Sequence, residues 1–517
     1  MKKATYSRTK NSLLNLITGV GGQLLMSVLR FVSRTVFIQV LGASYLGIGG
    51  LFSNILTLLS LTELGLDTAI NFRLYKPLSN NDETRVRILM KFYKQAYLVI
   101  GGTIFFLGLV MIPVLPYLIK DYDALISLDI NAPIIFILYL LQSVTSYLFF
   151  AYRTIIIKTA QKEYILNITD FFFNIVITLL QIAVLIWMED FLIYISVIIV
   201  FNFIKNFVNA VIARRMFPFA FKPESQSITK EERNSIFKDC GALFLFKVSH
   251  VVLLATDNLV LSSFIGIAIV GVYSNYLLFY TTINHFLAHF YRSVKASMGN
   301  LYVQASVEKN YFMFEVMNFV TILLKGTAGV GVAICSNEII SIWIGDDYVI
   351  PQPFPTLLGI QILFNGLKIN LGQVRNISGA FRQAWFRPAI GVIINVVVSI
   401  ILCQYIGIIG VVIGTITADV LANFMIDPKI IHKVSFHGYK PVSFYYKKNI
   451  LFIFVLFFIG ILDFGLCHYI LFPYKIASLI IHVLICLVSV PLGFYLLYQR
   501  TEVCQYLVQK ILAKKKF

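Results

Sequence analysis

The chain has 517 residues, of which 58% are hydrophobic and only 13% are charged. The apolar residues form repeated blocks, and a block of about 20 apolar residues spans a bilayer core of about 30 Å. This composition excludes a soluble globular domain. The net charge of +18 does not indicate a nucleic-acid partner, because the basic residues are divided among short segments at the ends of the apolar blocks.

The apolar blocks predict an all-α polytopic membrane protein with about fourteen transmembrane helices. The N-terminal segment MKKATYSRTK and the apolar run after it resemble a signal peptide, but the run is too long and contains two arginines. We therefore interpret this run as a retained first span. The predicted spans are 13–40, 45–70, 92–118, 133–156, 164–188, 191–213, 239–263, 270–297, 314–343, 354–378, 389–405, 408–427, 449–472 and 475–498.

The distribution of lysine and arginine predicts the orientation of these spans. With both termini in the cytoplasm, 35 of the 43 basic residues fall in cytoplasmic segments, whereas the outer loops contain only Lys120 and Lys475. Cytoplasmic loops of membrane proteins are enriched in Lys and Arg. The sequence therefore predicts that both termini are cytoplasmic.

Apart from basic residues at the cytoplasmic span ends, which are counted among the 35, six basic residues lie inside predicted spans: Arg30, Arg34, Lys205, Lys247, Lys325 and Lys368. Each costs at least about 2.5 kcal/mol at the centre of a bilayer. Lys205, Lys325 and Lys368 lie in the cytoplasmic halves of their spans, so half or more of the six are expected to reach the interface by snorkelling. Arg30 lies too far from both ends of its span for that explanation.

The polar residues inside the spans are grouped on helix faces. The groups are Arg30 with Arg34; Glu63 with Asp67; Asn202, Lys205, Asn206 and Asn209; and Lys247, His250 and Asp257. Such faces either bind a substrate or form interhelical pairs, for example Arg30 with Glu63 or Lys247 with Asp257. The sequence leaves both interpretations open.

An internal repeat predicts the organisation of the chain. Gly42 and Gly47 in VLGASYLGIGG match Gly266 and Gly271 in FIGIAIVGVYS at a constant offset of 224 residues. This predicts two six-helix lobes related by a pseudo-two-fold axis along the membrane normal, plus two C-terminal helices. The predicted domains are an N-lobe at 1–213, a cytoplasmic linker at 214–238, a C-lobe at 239–427, a cytoplasmic loop at 428–448, the last two spans at 449–498 and a basic cytoplasmic tail at 499–517.

The sequence predicts no metal site, cofactor or enzymatic activity. The six cysteines are scattered and are expected to be small buried hydrophobic residues. His285 and His289 share a helix face but have no further ligands nearby, so a polar helix face is the simpler interpretation. The absence of a phosphate-binding G-x-x-x-x-G-K-[ST] loop disfavours an ATP-driven exporter, and the short outer loops disfavour a membrane glycosyltransferase or polymerase.

Two segments resemble a known family. FVSRTVFIQVLGASYLGIGGLFSNILTLLSLTELGLDTAINFRLYKPLSNND resembles the N-terminus of the Gram-positive branch of the polysaccharide repeat-unit flippases, the Wzx-type proteins, and TDNLVLSSFIGIAIVGVYSNYLL resembles their seventh and eighth spans. These flippases share the MOP superfamily with MATE drug exporters and the lipid II flippase. The resemblance implies a bacterial cytoplasmic membrane protein with two lobes around a cationic cavity. Asp67 departs from the family pattern, in which a small residue is expected.

The resemblance implies a cargo and a role for each polar group. Family members move an undecaprenyl-diphosphate-linked oligosaccharide to the outer leaflet for assembly of capsule or another surface polysaccharide, which makes membrane lipids and the polymerase machinery the expected partners. Guanidinium groups bind phosphate oxygens bidentately, so Arg30, Arg34 and Lys247 are the predicted diphosphate-binding residues. The asparagine stripe of the sixth span, with Lys205, is predicted either to contact sugars or to pack helices. Glu63, Asp67 and Asp257 are the candidates for ion or proton coupling.

Alternative cargoes fit the same architecture. A MATE-like multidrug exporter carries cations, whereas a flippase for lipid II or for a teichoic acid precursor carries other chemistry on the same lipid. Two arginines on one span favour an anionic cargo.

Overall fold

A computed structural model of the chain describes residues 2–60, 66–120, 122–127, 130–378, 380, 383–384, 386–470 and 472–514. Within these ranges the side chains of 2–25, 237–247, 292–301 and some single positions are not described. The helices are α1 (Lys2–Leu59), α2 (Leu66–Ser79), α3 (Glu83–Met111), α4 (Leu115–Leu118), α5 (Tyr122–Ser127), α6 (Ala132–Leu148), α7 (Ile155–Thr159), α8 (Glu163–Met188), α9 (Phe191–Met216), α10 (Lys230–Phe264), α11 (Ile267–Gln304), α12 (Val307–Ile344), α13 (Phe354–Ser378), α14 (Arg387–Ile406), α15 (Ile408–Ala418), α16 (Asp427–Val434), α17 (Val442–Tyr469), α18 (Lys475–Tyr498) and α19 (Glu502–Lys514).

A helix lies at each of the fourteen predicted span positions, and no strand occurs among the residues that the structure describes. Within these residues, nine helical segments are long and apolar enough to cross a bilayer, and Ala132–Thr145 is a shorter apolar segment. One of the nine segments is Val28–Leu59, which contains the non-helical Gly42 and so covers two predicted spans. The all-α polytopic fold predicted from the sequence is confirmed, and the protein is a multi-pass membrane protein.

Polar caps explain where several helices begin. Asp82, Asp190 and Thr229 each accept a hydrogen bond from the backbone N–H three residues later, at 2.9, 2.9 and 3.2 Å. Such caps satisfy backbone donors that have no partner inside the helix. Because α9 ends at Met216 and Thr229 caps α10, the linker between these two helices is shorter than the polar segment at 214–238 suggests.

Contacts between Cα atoms divide the chain into two compact units, residues 1–271 and 272–517. The first unit includes α10, which the repeat assigned to the second lobe. The lobe boundaries inferred from the repeat therefore stay a prediction.

In the first unit, two of the four repeated glycines, Gly47 and Gly271, lie at the same helix contact. Gly42 and Gly266 both have positive φ angles, 78° and 142°, which favour glycine. Gly47 and Gly271 lie where α1 and α11 touch: a Cβ on Gly47 would be 2.0 Å from the oxygen of Ile267, and one on Gly271 would be 2.0 Å from the oxygen of Ala43. Ala43 and Ile267 are themselves separated by the repeat offset, so this helix contact is reciprocal.

The core of the second unit lies between α12, α13, α17 and α18. Phe319 of α12, Phe452 of α17 and Phe494 of α18 form a triangle of rings whose centroids are 5.7–5.9 Å apart. All three side chains are buried. Offset and edge-on aromatic pairs at such distances stabilise packing beyond the burial of area, so this cluster fixes the two C-terminal helices on α12.

The linker between α9 and α10 is held against α3 by basic side chains. Arg87 Nε donates to Oε2 of Glu224 at 2.9 Å, and Lys91 Nζ lies 2.9–3.3 Å from the carbonyl oxygens of Glu224, Ser225 and Gln226. The hydrogen bond from Arg87 is the main reason why the pKa of Glu224 lies below its ordinary value. Charge pairing therefore docks this linker.

The reciprocal contact predicts that glycine is required at 47 and 271. Gly47→Ala and Gly271→Ala each force two backbones apart, so each is expected to lower the free energy of unfolding by about 1–3 kcal/mol. Gly102→Ala is the matched control, because a Cβ at this helical position meets no heavy atom within 4 Å. Unfolding in lipid nanodiscs measures all three variants. Equal stability of Gly47→Ala, Gly271→Ala and the control would contradict the contact.

Docking of the linker is predicted to weaken in acid. The folded pKa of Glu224 is lowered, so the stabilisation is present above the unfolded value of about 4.3 and is lost as pH falls through the folded pKa. Limited proteolysis at 222–229 is therefore expected to accelerate at low pH in the wild type. The Arg87→Gln variant is expected to be cleaved fast at every pH. Cleavage of the wild type that does not change with pH would show that Glu224 does not hold the linker.

Candidate functional site

The two arginines of the first span occupy different environments. Arg34 is half-buried and lies beside the phenol groups of Tyr139 in α6 and Tyr194 in α9. Arg30, one turn nearer the N-terminus, is exposed, and within the described part of the chain it makes no ion pair. Phe37 continues the packing on α9, with its ring centroid 5.1 Å from that of Tyr194. Arg34 is thus fixed by packing, whereas the Arg30 guanidinium is accessible to an anion.

Asp67 at the start of α2 is hydrogen-bonded and ion-paired. Its Oδ1 accepts hydrogen bonds from Tyr93 and, at 2.9 Å, from Tyr97, and its Oδ2 lies 3.6 Å from Nζ of Lys158 in α7. The unexpected aspartate therefore joins α2, α3 and α7.

The polar stripe on α9 faces α8 at two of its four positions. Lys205 Nζ lies 3.3 Å from Oδ1 of Asp170, and Asn209, which is buried, accepts a 2.8 Å hydrogen bond from Thr169. Asn202 and Asn206 are half-buried. Lys205 and Asn209 support the helix-packing interpretation at their own positions, and Asn202 and Asn206 keep both interpretations open.

The other three predicted residues differ in how much of each the structure describes. Glu63 lies outside the described residues, and Lys247 lies on α10 with a side chain that is not described. Asp257, also on α10, is buried at 8% exposure and has an interaction partner.

The expectation that Lys325 snorkels is wrong, and Lys368 is ion-paired at the position where it was expected to reach the interface. Lys325 of α12 is fully buried, and its Nζ donates to the side-chain oxygens of Asn284 in α11 and Asn365 in α13. Lys368 Nζ lies 3.0 Å from Oδ1 of Asp419, in the π-helical turn Asp419–Ile426 that joins α15 to α16. The Lys325 ammonium group is held inside the protein, and that of Lys368, whose side chain is 29% exposed, is paired, because neighbouring segments supply oxygen partners for both.

A buried ion cluster joins the C-terminal end of α13 to the N-terminal ends of α14 and α16. Asp427 is fully buried, its Oδ2 accepts a hydrogen bond from Arg375, and its Oδ1 lies 3.2 Å from Nε of Arg387. Arg375 and Arg387 are 9% and 6% exposed. Lys368 and Arg375 are seven residues apart and share one face of α13, and this spacing is the sequence signal that could have indicated the partners Asp419 and Asp427.

The second unit contains an apolar groove between α12, α13 and α17. Its volume is about 600 Å³, and among its lining residues only Gln352 and Thr356 are polar. Phe454, Phe457 and Phe464 of α17 line it and are 66%, 60% and 52% exposed. Because the exposed surface of a membrane helix faces lipid, this groove is suited to an acyl or isoprenoid chain.

Comparison with solved structures identifies the fold. No family model and no curated protein matches the chain. The lipid II flippase MurJ in an inward closed conformation superposes with a TM-score of 0.60 at 14% identity, covering 94% of this chain and 99% of that one. A MATE family multidrug resistance transporter in an inward-facing conformation gives 0.57 at 14% identity, covering 80% and 96%. A MOP superfamily transporter from Pyrococcus furiosus, whose structure is described as having a binding pocket of reverse polarity, gives 0.51 at 12% identity, covering 83% and 95%.

The chain has the fold of MOP superfamily transporters. These structural neighbours are transporters and flippases, not enzymes. At this level of identity the likeness shows the fold, and the fold agrees with the all-α architecture predicted from the sequence. The choice of cargo depends on the residues of this chain.

The Asp427 cluster predicts a large effect from a small change. Asp427→Asn leaves two buried guanidinium groups without a counter-charge, so the free energy of unfolding is expected to fall by about 3–5 kcal/mol. The matched control is Asp346→Asn, since Asp346 pairs with Lys475 on the exposed rim at 3.7 Å and is expected to contribute nothing measurable. Thermal unfolding of both variants in detergent checks the difference. Equal unfolding temperatures would contradict the buried ion cluster.

Proposed function

We propose that this protein is a flippase for a polyprenyl-diphosphate-linked oligosaccharide, which it transfers from the inner to the outer leaflet of a bacterial cytoplasmic membrane. The observation that carries this proposal is the apolar groove, about 600 Å³ in volume and lined by one face of α17. A soluble cationic drug has no need of such a surface, whereas a lipid-linked cargo must keep its chain in an apolar environment while its head group crosses.

The groove is proposed to orient the polyprenyl chain of the cargo and to contribute little to its binding affinity. Lipid tails are as apolar as the groove walls, so entry into the groove gains little from the hydrophobic effect and depends on van der Waals packing. The specific affinity must therefore come from the polar head group. Recognition of the cargo therefore depends on charged residues that bind its head group.

Arg30 and Arg34 supply that recognition. A diphosphate carries negative charge through a region where charge is costly, and a guanidinium stays charged and donates two parallel hydrogen bonds to phosphate oxygens. Arg30 is exposed and Arg34 is held by its packing, so Arg34 gives a fixed donor and Arg30 an adaptable one. Lys247 is proposed as a third contact, and Asn202 and Asn206 as sugar contacts.

The structural neighbours support a lipid-linked cargo. One neighbour, MurJ, is named a lipid II flippase, and the superposition with it covers 94% of this chain. Alternating access is the mechanism proposed here. The reciprocal contact at Gly47 and Gly271 joins the part of α1 just after the kink at Gly42 to the start of α11, and both lie near the outer side in the predicted topology, so we propose that outward opening separates them.

Depletion in the host tests the cargo. Mass spectrometry of undecaprenyl-linked intermediates, combined with a probe of leaflet accessibility, is expected to show one diphospho-oligosaccharide accumulating in the inner leaflet. Accumulation of lipid II or of a teichoic acid precursor would instead assign that cargo. Increased sensitivity to cationic drugs without any lipid intermediate would contradict the proposal and favour a multidrug exporter. Surface polysaccharide polymerase is the proposed downstream partner, which consumes the lipid-linked product.

The groove gives a second test with a matched control. Gly460 of α17 lines the groove, and the nearest side-chain atom to a Cβ there is 3.7 Å away, so Gly460→Leu fills the groove without a backbone clash. Gly465 of the same helix meets nothing within 4 Å and is not among the groove residues. Gly460→Leu is expected to slow lipid transfer about tenfold, equivalent to about 1.4 kcal/mol, and Gly465→Leu is expected to leave it unchanged. Equal rates of lipid transfer by Gly460→Leu and Gly465→Leu would show that the polyprenyl chain of the cargo does not occupy the groove.

A further inference from the structure

Three helices of the second unit, α12, α17 and α18, enclose ionisable side chains that the proposed cargo site does not use. His482 of α18 is 1% exposed and contacts an oxygen with each ring nitrogen. Its Nδ1 lies 2.8 Å from Oε1 of Glu338 in α12, and its Nε2 lies 2.9 Å from the carbonyl oxygen of Ile470. None of these residues belongs to the sites predicted from the sequence.

These two contacts determine how many protons the pair holds. The carbonyl oxygen of Ile470 only accepts, so Nε2 of His482 carries a hydrogen and donates it. A neutral imidazole then has a lone pair on Nδ1, which would face the negative carboxylate of Glu338. The contact is attractive only when a further proton lies between Nδ1 and the carboxyl group. The pair therefore binds one proton beyond those of a neutral histidine and an ionised glutamate.

A second carboxyl group lies deeper between the same helices. Asp463 of α17 is 1% exposed, and its Oδ2 accepts a 2.5 Å hydrogen bond from Ser489 of α18. In the ranges that the structure describes, Asp463 has no ion-pair partner. A carboxylate in the membrane interior is costly unless a partner or a proton neutralises it. A proton is the neutralising partner that this geometry leaves available.

Small polarisable groups connect the two carboxyl sites. The thiol of Cys467, one turn beyond Asp463, lies close enough to the carboxyl groups of Asp463 and Glu338 to interact electrostatically with both. Cys486 hydrogen-bonds to Cys335 between the same helices. Among the described residues, the other charged groups lining the pocket that contains Glu338 are Lys475 and Asp346, which pair with each other at 3.7 Å. Glu338, whose side chain is 35% exposed, lines a pocket of about 350 Å³ at this end of the unit.

We propose that Glu338, His482 and Asp463 form a proton-binding site that exchanges protons with the outer pocket through Glu338. The site is positioned to act on transport, because α17 carries Asp463 between Ile461 and Phe464, which line the apolar groove. Proton occupancy therefore acts on the helix that forms one wall of the groove. The role of the proton as coupling ion rests on the proposed function, whereas proton binding itself does not.

Infrared difference spectroscopy of the full-length protein in phosphatidylglycerol liposomes tests proton binding. Between mildly acidic and alkaline buffer, the wild type is expected to show a carboxylic-acid carbonyl band that is reduced in Asp463→Asn, reduced or shifted in Glu338→Gln, and unchanged in Asp346→Asn. Asp463→Glu is expected to restore the band at a shifted frequency, which distinguishes loss of the proton from loss of folding. A full wild-type band in both Asp463→Asn and Glu338→Gln would overturn the site.

A transport assay in the same liposomes separates this inference from the proposed function. The probe is a fluorescent polyprenyl-diphosphate glycan, transferred with and without an imposed proton gradient. The gradient is expected to speed transfer by the wild type several-fold and to have no effect on Asp463→Asn, while Arg30→Ala loses transfer and keeps the carbonyl band. A band without any transfer by the wild type would overturn the cargo and leave the proton site standing. Transfer that ignores the gradient in the wild type would overturn the coupling.

Discussion

The interior of a bilayer offers no water to solvate a charge, and this constraint organises the whole chain. Each charged side chain inside the spans needs a partner from a neighbouring helix, a proton or a ligand. Lys205, Lys368 and Asp427 satisfy the constraint with ion pairs, at 3.3, 3.0 and 3.2 Å. Lys325 satisfies it with two asparagine oxygens. Arg30 is different, because it is exposed and its counter-charge is proposed to arrive with the cargo.

The proposed cargo, which has an anionic head group and an apolar chain, meets this constraint. The exposed guanidinium on α1 fits the first part, and the groove between α12, α13 and α17 fits the second. The two features lie in different compact units, and each restricts the chemistry of the proposed substrate. A cation exporter explains neither the groove nor two arginines on one span.

The sequence predicted the features that depend on one helix at a time. Span positions follow from the length of apolar blocks, and the matching of Gly42 and Gly47 with Gly266 and Gly271 pointed to glycines that the structure shows at sharp turns and at a helix contact. Partners between helices were not predictable, because they depend on how each helix is rotated about its axis. Lys325 was expected at the interface and is buried, and Asp463 and His482 carried no sequence signal beyond being polar residues in apolar helices.

The most direct test of the account is leaflet transfer by the purified protein. Proteoliposomes are loaded with a fluorescent undecaprenyl-diphosphate glycan, and a membrane-impermeant reductant reports the fraction in the accessible leaflet over time. The account predicts rapid transfer by the wild type and loss of transfer in Arg30→Ala, with Arg30→Lys intermediate because lysine keeps the charge and loses the bidentate geometry. Transfer by Arg30→Ala at the wild-type rate, or movement of a cationic dye in place of the lipid, would contradict the central claim that this fold carries an anionic lipid-linked cargo.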